Sequence, residues 1–276
     1  MSVINTNVNA VFAQNAMKTN TRAMGTAMEQ LSTGSRINSA KDDAAGLAIG
    51  QNMTSQVRGL NMAVRNVNDG INMMQTAEGA LVETSNMLQR MRELAVQSAN
   101  GTYSGTQRGY LQTEYTALST QIGKIASETK WNDQTLLAGT GGAGTGTFTY
   151  QAGKDSTQTI AVTINAMTTT GLSLTSTDTV ANVTGANAAI ASMDVAIGLV
   201  NAQRATIGAG INQMTYAVDN LANISSNISA SRSTIMDTDY ATATTQLSKT
   251  QIIQQAATAM LAQANQQPQS VLSLLK

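Results

Sequence analysis

Paired carboxylates are the side chains of this sequence best placed to do chemistry. Asp42 and Asp43 are adjacent, and Asp237 and Asp239 form a second pair. Such pairs can bind a hard cation or act as general acid and base. Each pair, however, precedes a stretch with helical periodicity, and negative charge is favourable at the amino terminus of a helix. We therefore interpret both pairs as helix starts, with Ser39 and Asp42 forming a capping box in which Ser39 caps the helix amides.

Other catalytic arrangements find no support in the sequence. The chain contains no histidine and no cysteine, which removes the commonest general base and metal ligand, thiolate chemistry and disulfide bonds. The glycine-rich run 139–146 lacks the GK[ST] ending of a phosphate-binding loop. The methionines fall largely on helical seams, where core packing explains them better than copper or redox chemistry. The sequence thus predicts no enzyme, no metal site and no cofactor.

The composition of the 276 residues favours thin helical layers and self-association. A single proline permits long helices, and an aromatic content of 3% argues against a thick globular core. The formal net charge is zero, which favours self-association, and no basic excess points to nucleic acid. The first residues lack a charged region followed by an apolar run, so we expect neither a signal peptide nor membrane insertion. A cytosolic location and export by another route both remain open from composition.

Apolar residues recur at helical spacing in five stretches. In the first, Ala10, Met17, Met24 and Leu31 repeat every seven residues, which predicts a helix with a narrow seam that ends near Gly34. The same analysis predicts helices over 44–99, 104–128 and 188–232. A last helix carries Leu247, Ile253, Met260 and Leu261, and we expect Pro268 to stop or kink it.

The middle of the chain and its nearly palindromic layout complete the architecture. Segment 139–186 is Thr-rich and alternates apolar with polar residues, which predicts a small β-hairpin region. Folding back at this point would pair the terminal helices, 1–43 with 233–276, and the long helices, 44–138 with 187–232. The predicted fold is mainly α, with long antiparallel coiled-coil-like helices in a terminal pair and a helical-bundle rod. The alternative is a fully extended coiled coil, which would leave the middle unexplained.

Several stretches together resemble bacterial flagellin, the subunit of the flagellar filament. They are VINTN at 3–7, LSTGSRINSAKDDAAGLAI at 31–49, NDGINMMQTAEGALVE, LQRMRELAVQSANGT, and the final run beginning SRSTIMDTDYATA. The resemblance implies a structural subunit that polymerises into the extracellular filament used for swimming. It also implies export through the flagellum's own type III apparatus. The implied partners are further copies of the chain, an export chaperone, and cap and junction proteins.

The resemblance also assigns roles to particular residues. On the inner terminal helices, the residues implied to pack between subunits are Met17, Met24, Leu31, Leu247, Ile253, Met260 and Leu261. The joint between inner and outer helices carries Arg36, Lys41, Asp42 and Asp43. The partner of this joint is either the returning chain or a neighbouring subunit, and the sequence leaves both open.

A third set concerns recognition by the animal receptor Toll-like receptor 5. Arg90, Leu94 and Glu114 align with the arginine, leucine and glutamate of the flagellin site that this receptor recognises. Arg90 would donate a fork of hydrogen bonds and Leu94 would supply apolar contact. The same surface is buried between subunits in flagellin filaments, so assembly is the first explanation of its chemistry. The alternatives to a filament subunit are a hook–filament junction protein and a secreted coiled-coil binding protein.

Overall fold

Long helices dominate the computed structural model, which describes residues 6–174 and 179–273, with side chains described up to Gln266. The helices of this described part are α1 Val8–Thr33, α2 Ala44–Ala99, α3 Gly105–Glu128, α4 Val183–Met236 and α5 Tyr240–Ser273. The prediction of a mainly α fold with long helices is confirmed.

Helix α1 begins and ends at identifiable signals. The Asn7 side-chain oxygen accepts a hydrogen bond from the Ala10 amide at 3.1 Å, which satisfies one of the free amides of the first turn. At the other end Gly34 adopts a left-handed conformation with φ 70°, and its amide donates to the Gln30 carbonyl. A Cβ at Gly34 would also lie 2.9 Å from the Tyr240 hydroxyl. The predicted helix end at Gly34 is confirmed.

The predicted start of α2 is wrong in its capping residue. The Gly46 amide donates to Asp43 Oδ1 at 2.8 Å, so Asp43 caps a helix that begins at Ala44. Ser39 instead donates from its amide and its hydroxyl to Asp42 Oδ2, at 3.0 and 2.9 Å. The four residues from Ser39 therefore close a separate turn. The S-x-x-D pattern of Ser39 and Asp42 is present in the sequence, but Asp43 is the carboxylate that faces the free amides of α2.

Helix α5 also departs from its prediction at one point. Asp239 caps it as expected, since the Ala241 amide donates to Asp239 Oδ1 at 2.9 Å. The helix then continues past Pro268 to Ser273, so Pro268 does not end it. A proline inside a helix removes one backbone hydrogen bond and its ring crowds the carbonyl four residues earlier, so the helix passes Pro268 at a cost in stability.

Among the described residues between α3 and α4, the chain forms two short antiparallel hairpins. Strands β1 Lys130–Trp131 and β2 Gln134–Thr135 are joined by Asn132 and Asp133, whose φ angles of 45° and 63° suit a tight two-residue turn. Strands β3 Thr147–Gln151 and β4 Thr159–Thr163 pair in the register Phe148–Val162 and Tyr150–Ile160. The predicted β-hairpin region is confirmed.

The second hairpin packs directly on the helices. Phe148, Ile160 and Val162 form its buried face. A Cβ added to Gly210 of α4 would lie 2.9 Å from Val162, so the absence of a side chain there permits the close approach.

The chain forms two compact units. The first comprises Met1–Val57 and Ser226–Lys276, and the second comprises Arg58–Ser225. In the second unit the predicted seam of α4 is buried at Met193, Val200, Ile207 and Met214. By length and composition α4 is apolar enough to cross a membrane, and 28% of its most apolar stretch is buried inside the protein. The largest fully buried side chains of this core are Met74, Leu81, Leu88, Met91, Leu94, Ile122, Leu136, Leu137, Ile164, Leu172, Met193 and Ile207.

Candidate functional site: the terminal helix pair

Helices α1 and α5 pack against each other along small side chains. The buried positions of the seam are Ala10, Asn20, Ala27, Ala243 and Thr250. Larger residues predicted to pack here are only half-buried, namely Met17, Met24, Leu31, Leu247 and Leu261. Because burial contributes roughly 25 cal/mol per Å² of apolar area, a seam built on alanines stabilises the pair weakly.

Two asparagines cross this seam to backbone carbonyls. Asn20 Nδ2 donates to the Thr250 carbonyl at 2.7 Å, and Asn7 Nδ2 donates to the Ala264 carbonyl at 2.7 Å. In a regular helix the carbonyl of Ala264 would accept from the amide of residue 268, but Pro268 has no amide hydrogen. The side chain of Asn7 therefore occupies an acceptor that the single proline of the chain leaves free.

An open apolar groove lies beside the seam. Phe12 is 71% exposed, Ile253 41% and Met260 67%. The groove has a volume of about 680 Å³ and no charged residue lines it. Its lining residues are Asn9, Phe12, Ala13, Ala16, Ile253, Ala256, Ala257, Met260, Gln263 and Ala264. Ile253 and Met260, which were grouped with the seam residues by sequence, therefore lie on a different and exposed face.

The joint between α1 and α2 pairs with the returning chain at the end of α4. The Arg36 guanidinium donates to the Ile235 carbonyl from Nη2 at 2.7 Å and from Nε at 3.3 Å. The Arg36 amide donates to the Met236 carbonyl, and the Thr238 amide donates to the Gly34 carbonyl. The last carbonyls of α4 need donors from outside the helix, and Arg36 supplies them. Of the two partners left open by the sequence, the structure places the returning chain against Arg36.

The acidic residues of the joint act locally. The hydrogen bond from the Ser39 hydroxyl lowers the pKa of Asp42, with backbone amides of Ser39 and Asn38 contributing in the same direction. Asp43 caps α2, and Lys41 is exposed. On the return path the hydroxyl of Thr242 lowers the pKa of Asp239. Asp43 and Asp239 are therefore helix caps, whereas Asp42 closes the turn that precedes α2.

The residues of the predicted receptor site separate into a surface pair and a core residue. Arg90 donates from Nε to Glu114 at 2.9 Å and from Nη1 to Glu93 at 3.1 Å. The hydrogen bond to Glu114 raises the pKa of Arg90. Leu94 is only 1% exposed and belongs to the core of the second unit. The prediction that Leu94 offers an apolar contact at this surface is therefore wrong for the chain by itself, because neighbouring helices already cover it.

Sequence reasoning missed three residues of the terminal pair. Phe12 is one residue away from the apolar seam of α1, so seam spacing alone does not identify it. Asn7 and Asn20 are polar and were not counted in the heptad, although Asn20 stands three residues after Met17 and four before Met24. Polar residues at seam spacing were the signal that could have identified Asn20.

Comparison with known proteins covers both ends of the chain. The family model for the bacterial flagellin N-terminal helical region matches residues 4–141, and that for the C-terminal helical region matches residues 190–275. The flagellar filament 33 kDa core protein of Treponema phagedenis is 41% identical over 285 residues, covering 99% of this chain and 100% of that protein. Polar flagellin F of Vibrio parahaemolyticus is 36% identical over 372 residues, covering 99% of both.

Solved structures agree on the fold. The crystal structure of Bacillus cereus flagellin is similar with a TM-score of 0.52 and 30% identity, over 57% of this chain and 88% of that one. A putative flagellar hook-associated protein from Vibrio parahaemolyticus has a TM-score of 0.59 at 15% identity, over 70% and 99%. The latter likeness shows a shared fold alone, so it gives no support to the junction-protein alternative.

The helical fold and the relatives over nearly the full chain lead to one function. The protein is a structural subunit that polymerises with itself into the bacterial flagellar filament, the organelle of swimming motility. The family is structural and its filament is extracellular. The chain belongs to the bacterial flagellin family.

Proposed function

We propose that the terminal helix pair is the surface through which each copy packs against the next in the filament. The observation that carries this proposal is the uncharged groove with Phe12, Ile253 and Met260 exposed around it. An exposed apolar patch of this kind on a chain with so few charges is a mark of an interaction surface. The occupant that we propose is the terminal pair of a second copy.

The pair also exposes apolar side chains outside the groove. Val8, Val11 and Ile252 are also exposed, and they do not line the groove. A helical polymer needs contacts in which one surface of a subunit meets a different surface of the next. One copy could therefore present these side chains to the groove of its neighbour. The pair gains from this because its own alanine-based seam buries little area.

The substitution Ile253→Asp tests the groove. A carboxylate there would have to be desolvated beneath the neighbouring copy, so we expect seeded polymerisation to be abolished while the circular dichroism of the soluble chain is unchanged. The matched control is Ser248→Asp, which adds the same charge at an exposed position of α5 outside the groove. Electron microscopy of seeded samples gives the readout. Normal filaments from the Ile253→Asp chain would refute the proposal.

The half-buried seam residues pack α1 against α5 within one subunit, and their effect on assembly follows from that packing. Leu247 and Leu261 recur at heptad spacing with the buried Ala243 and Thr250, so they face α1. A charge at Leu247 should open the terminal pair and abolish filaments as a consequence. Met17, Met24 and Leu31 hold the equivalent positions on α1. Hydrogen exchange on the soluble chain separates the two mechanisms, since Leu247→Asp should raise exchange in α1 and Ile253→Asp should not.

Arg90 and Glu114 form a second proposed contact surface, for assembly and for Toll-like receptor 5. Their side chains are 49% and 44% exposed, so both can exchange their mutual ion pair for an outside partner. Arg90→Ala should lower receptor signalling by soluble protein by about tenfold, since central arginines often dominate such interfaces. Arg92→Ala is the matched control, because Arg92 pairs instead with Asp194. Equal signalling by the two variants would contradict the receptor proposal.

Export through the flagellar type III apparatus, with a chaperone holding α5, is also proposed. The support is the exposure of Ile252 and Ile253, which project from neighbouring sides of α5 and have to be shielded before assembly. Cap and junction proteins would meet the same side chains at the filament ends. Co-purification of the chain with the chaperone tests this, and Ile252→Asp should reduce recovery of the complex. Unchanged recovery would remove α5 as the chaperone site.

A further inference from the structure

Met260 is the most exposed of the described methionines and the one among them that lines the groove. It is 67% exposed and lines the groove of the terminal pair. The methionines of the second unit's core have no exposed surface at Met74, Met91, Met193 and Met214. The chain contains no cysteine, so methionine thioethers are its only sulfur groups open to mild oxidation.

We propose that Met260 is an oxidative modification site, and that a peroxide acting there blocks self-association. The proposal rests on the proposed function of the groove. The thioether sulfur attacks one oxygen of hydrogen peroxide, an S–O bond forms, the O–O bond breaks and water leaves. The sulfur loses two electrons and the peroxide gains them. The product is methionine sulfoxide, which thiol-dependent sulfoxide reductases return to the thioether.

The chemistry of the groove explains why this oxidation would matter. Its lining is made of methyl groups, the Phe12 ring and the Ile253 side chain, apart from the amides of Asn9 and Gln263. A sulfoxide places a strong hydrogen-bond acceptor at the centre of a contact that has to be dry. Burial of such a group against apolar side chains is unfavourable without a donor. Methionine at an interface converts in this way from an adaptable apolar group into a polar one.

Assembly itself would limit when the modification can occur. Met260 is exposed in the separate chain and would be covered by the second copy in the filament. Oxidation would therefore act on subunits that have not yet assembled, and polymerised material would resist the same peroxide dose. The core methionines provide an internal reference, because their burial protects them in both states.

The experiment measures seeded polymerisation of the full chain with and without hydrogen peroxide, alongside sulfoxide at each methionine by peptide mass spectrometry. The quantity compared is the ratio of treated to untreated rate within each variant. We expect the wild-type rate to fall by roughly tenfold or more as sulfoxide accumulates at Met260, and a sulfoxide reductase to restore it. Met260→Leu should show a ratio near unity, since leucine cannot be oxidised. Met28→Leu should remain as sensitive as wild type, because Met28 is 55% exposed but lies outside the groove.

Met260→Gln is the second variant, since its amide mimics the polarity of the sulfoxide and should slow polymerisation without peroxide. Wild-type chain fully oxidised at Met260 that polymerises at the normal rate would overturn the proposal. So would equal peroxide sensitivity of wild type and Met260→Leu. The Ile253→Asp variant tests the assembly role of the groove separately. If it fails to polymerise, that role stands even when the oxidation proposal is refuted. If it forms normal filaments, the assembly role of the groove is itself refuted.

Discussion

Helix α4 and helix α1 have similar seam spacings but very different surroundings. In the second unit the seam of α4 buries large side chains such as Met193, Val200 and Ile207, and other parts of the same chain cover them. In α1 the buried residues among its 26 are Ala10, Asn20 and Ala27. The second unit thus completes its core alone, while the terminal pair keeps its bulkier apolar side chains on the outside.

The largest effect that distinguishes the two units is expected in the core of the second unit. Leu88→Ala should lower the free energy of unfolding of the second unit by about 3 kcal/mol, since it leaves a cavity at a fully buried position. Leu247→Ala, at a half-buried position of the terminal pair, should leave this unit unchanged. Trp131, the single tryptophan, lies in the second unit and reports its unfolding in urea. Equal shifts of the Trp131 transition in both variants would contradict the division.

The next effect concerns the register of the terminal pair. Replacing Asn7 and Asn20 together by alanine removes two side-chain hydrogen bonds, at about 1 kcal/mol each. Buried asparagines also fix the register of paired helices. Without them α1 and α5 should shift along each other, in addition to losing packing stability. Because the chain has no cysteine, a disulfide between Ala27→Cys and Ala243→Cys can report the register without background. We expect its yield to fall when both asparagines are replaced, and an unchanged yield would show that the apolar seam alone sets the register.

A smaller effect distinguishes the true cap of α2 from the capping residue expected from the sequence. Asp43→Ala should destabilise the start of α2 by about 1 kcal/mol, because the Gly46 amide loses its acceptor. Ser39→Ala is the matched control and should have a lesser effect on the helix. Hydrogen exchange of the first turn of α2 measures both. A larger change for Ser39→Ala would restore the capping box inferred from the sequence.

The smallest effect is a pH dependence of the start of α5. The hydrogen bond from Thr242 lowers the pKa of Asp239, so the folded joint favours the ionised carboxylate. Its stabilising contribution is present above the unfolded pKa of about 4 and is lost as the pH falls through the lowered folded value. Exchange in the first turn of α5 should therefore rise on acidification below about pH 4. Asp239→Asn should remove this dependence, and a variant that retained it would assign the titration to another group.

Prediction from sequence succeeded where one physical signal acted alone. Heptad spacing identified the helices, and the alternation of Thr with apolar residues identified the hairpin of β3 and β4. Prediction failed where two local signals competed. Ser39 and Asp43 both offered caps, and only the fold decided which carboxylate faced the free amides. At Pro268 the missing amide suggested a helix end or a kink; the helix does not end there, and Asn7 supplies a donor to the carbonyl that the proline leaves free.

The candidate site was predictable as a region and not residue by residue. Sequence placed Ile253 and Met260 with Leu247 and Leu261, since all four are apolar and close in α5. The structure separates them, with Leu247 and Leu261 half-buried on the seam and the other two exposed on the groove. Leu94 shows the converse, because a residue expected at a surface is covered by the core.

The sequence by itself determined the secondary structure, the absence of histidine and cysteine chemistry, and the family, because these depend on residue type and on spacing along the chain. Only the tertiary structure decided which apolar side chains the chain covers and which it leaves exposed. It also decided that Arg36 pairs with the carbonyls of the returning helix. The physical reason is that periodicity defines the faces of a helix, whereas burial depends on which distant segment reaches each face.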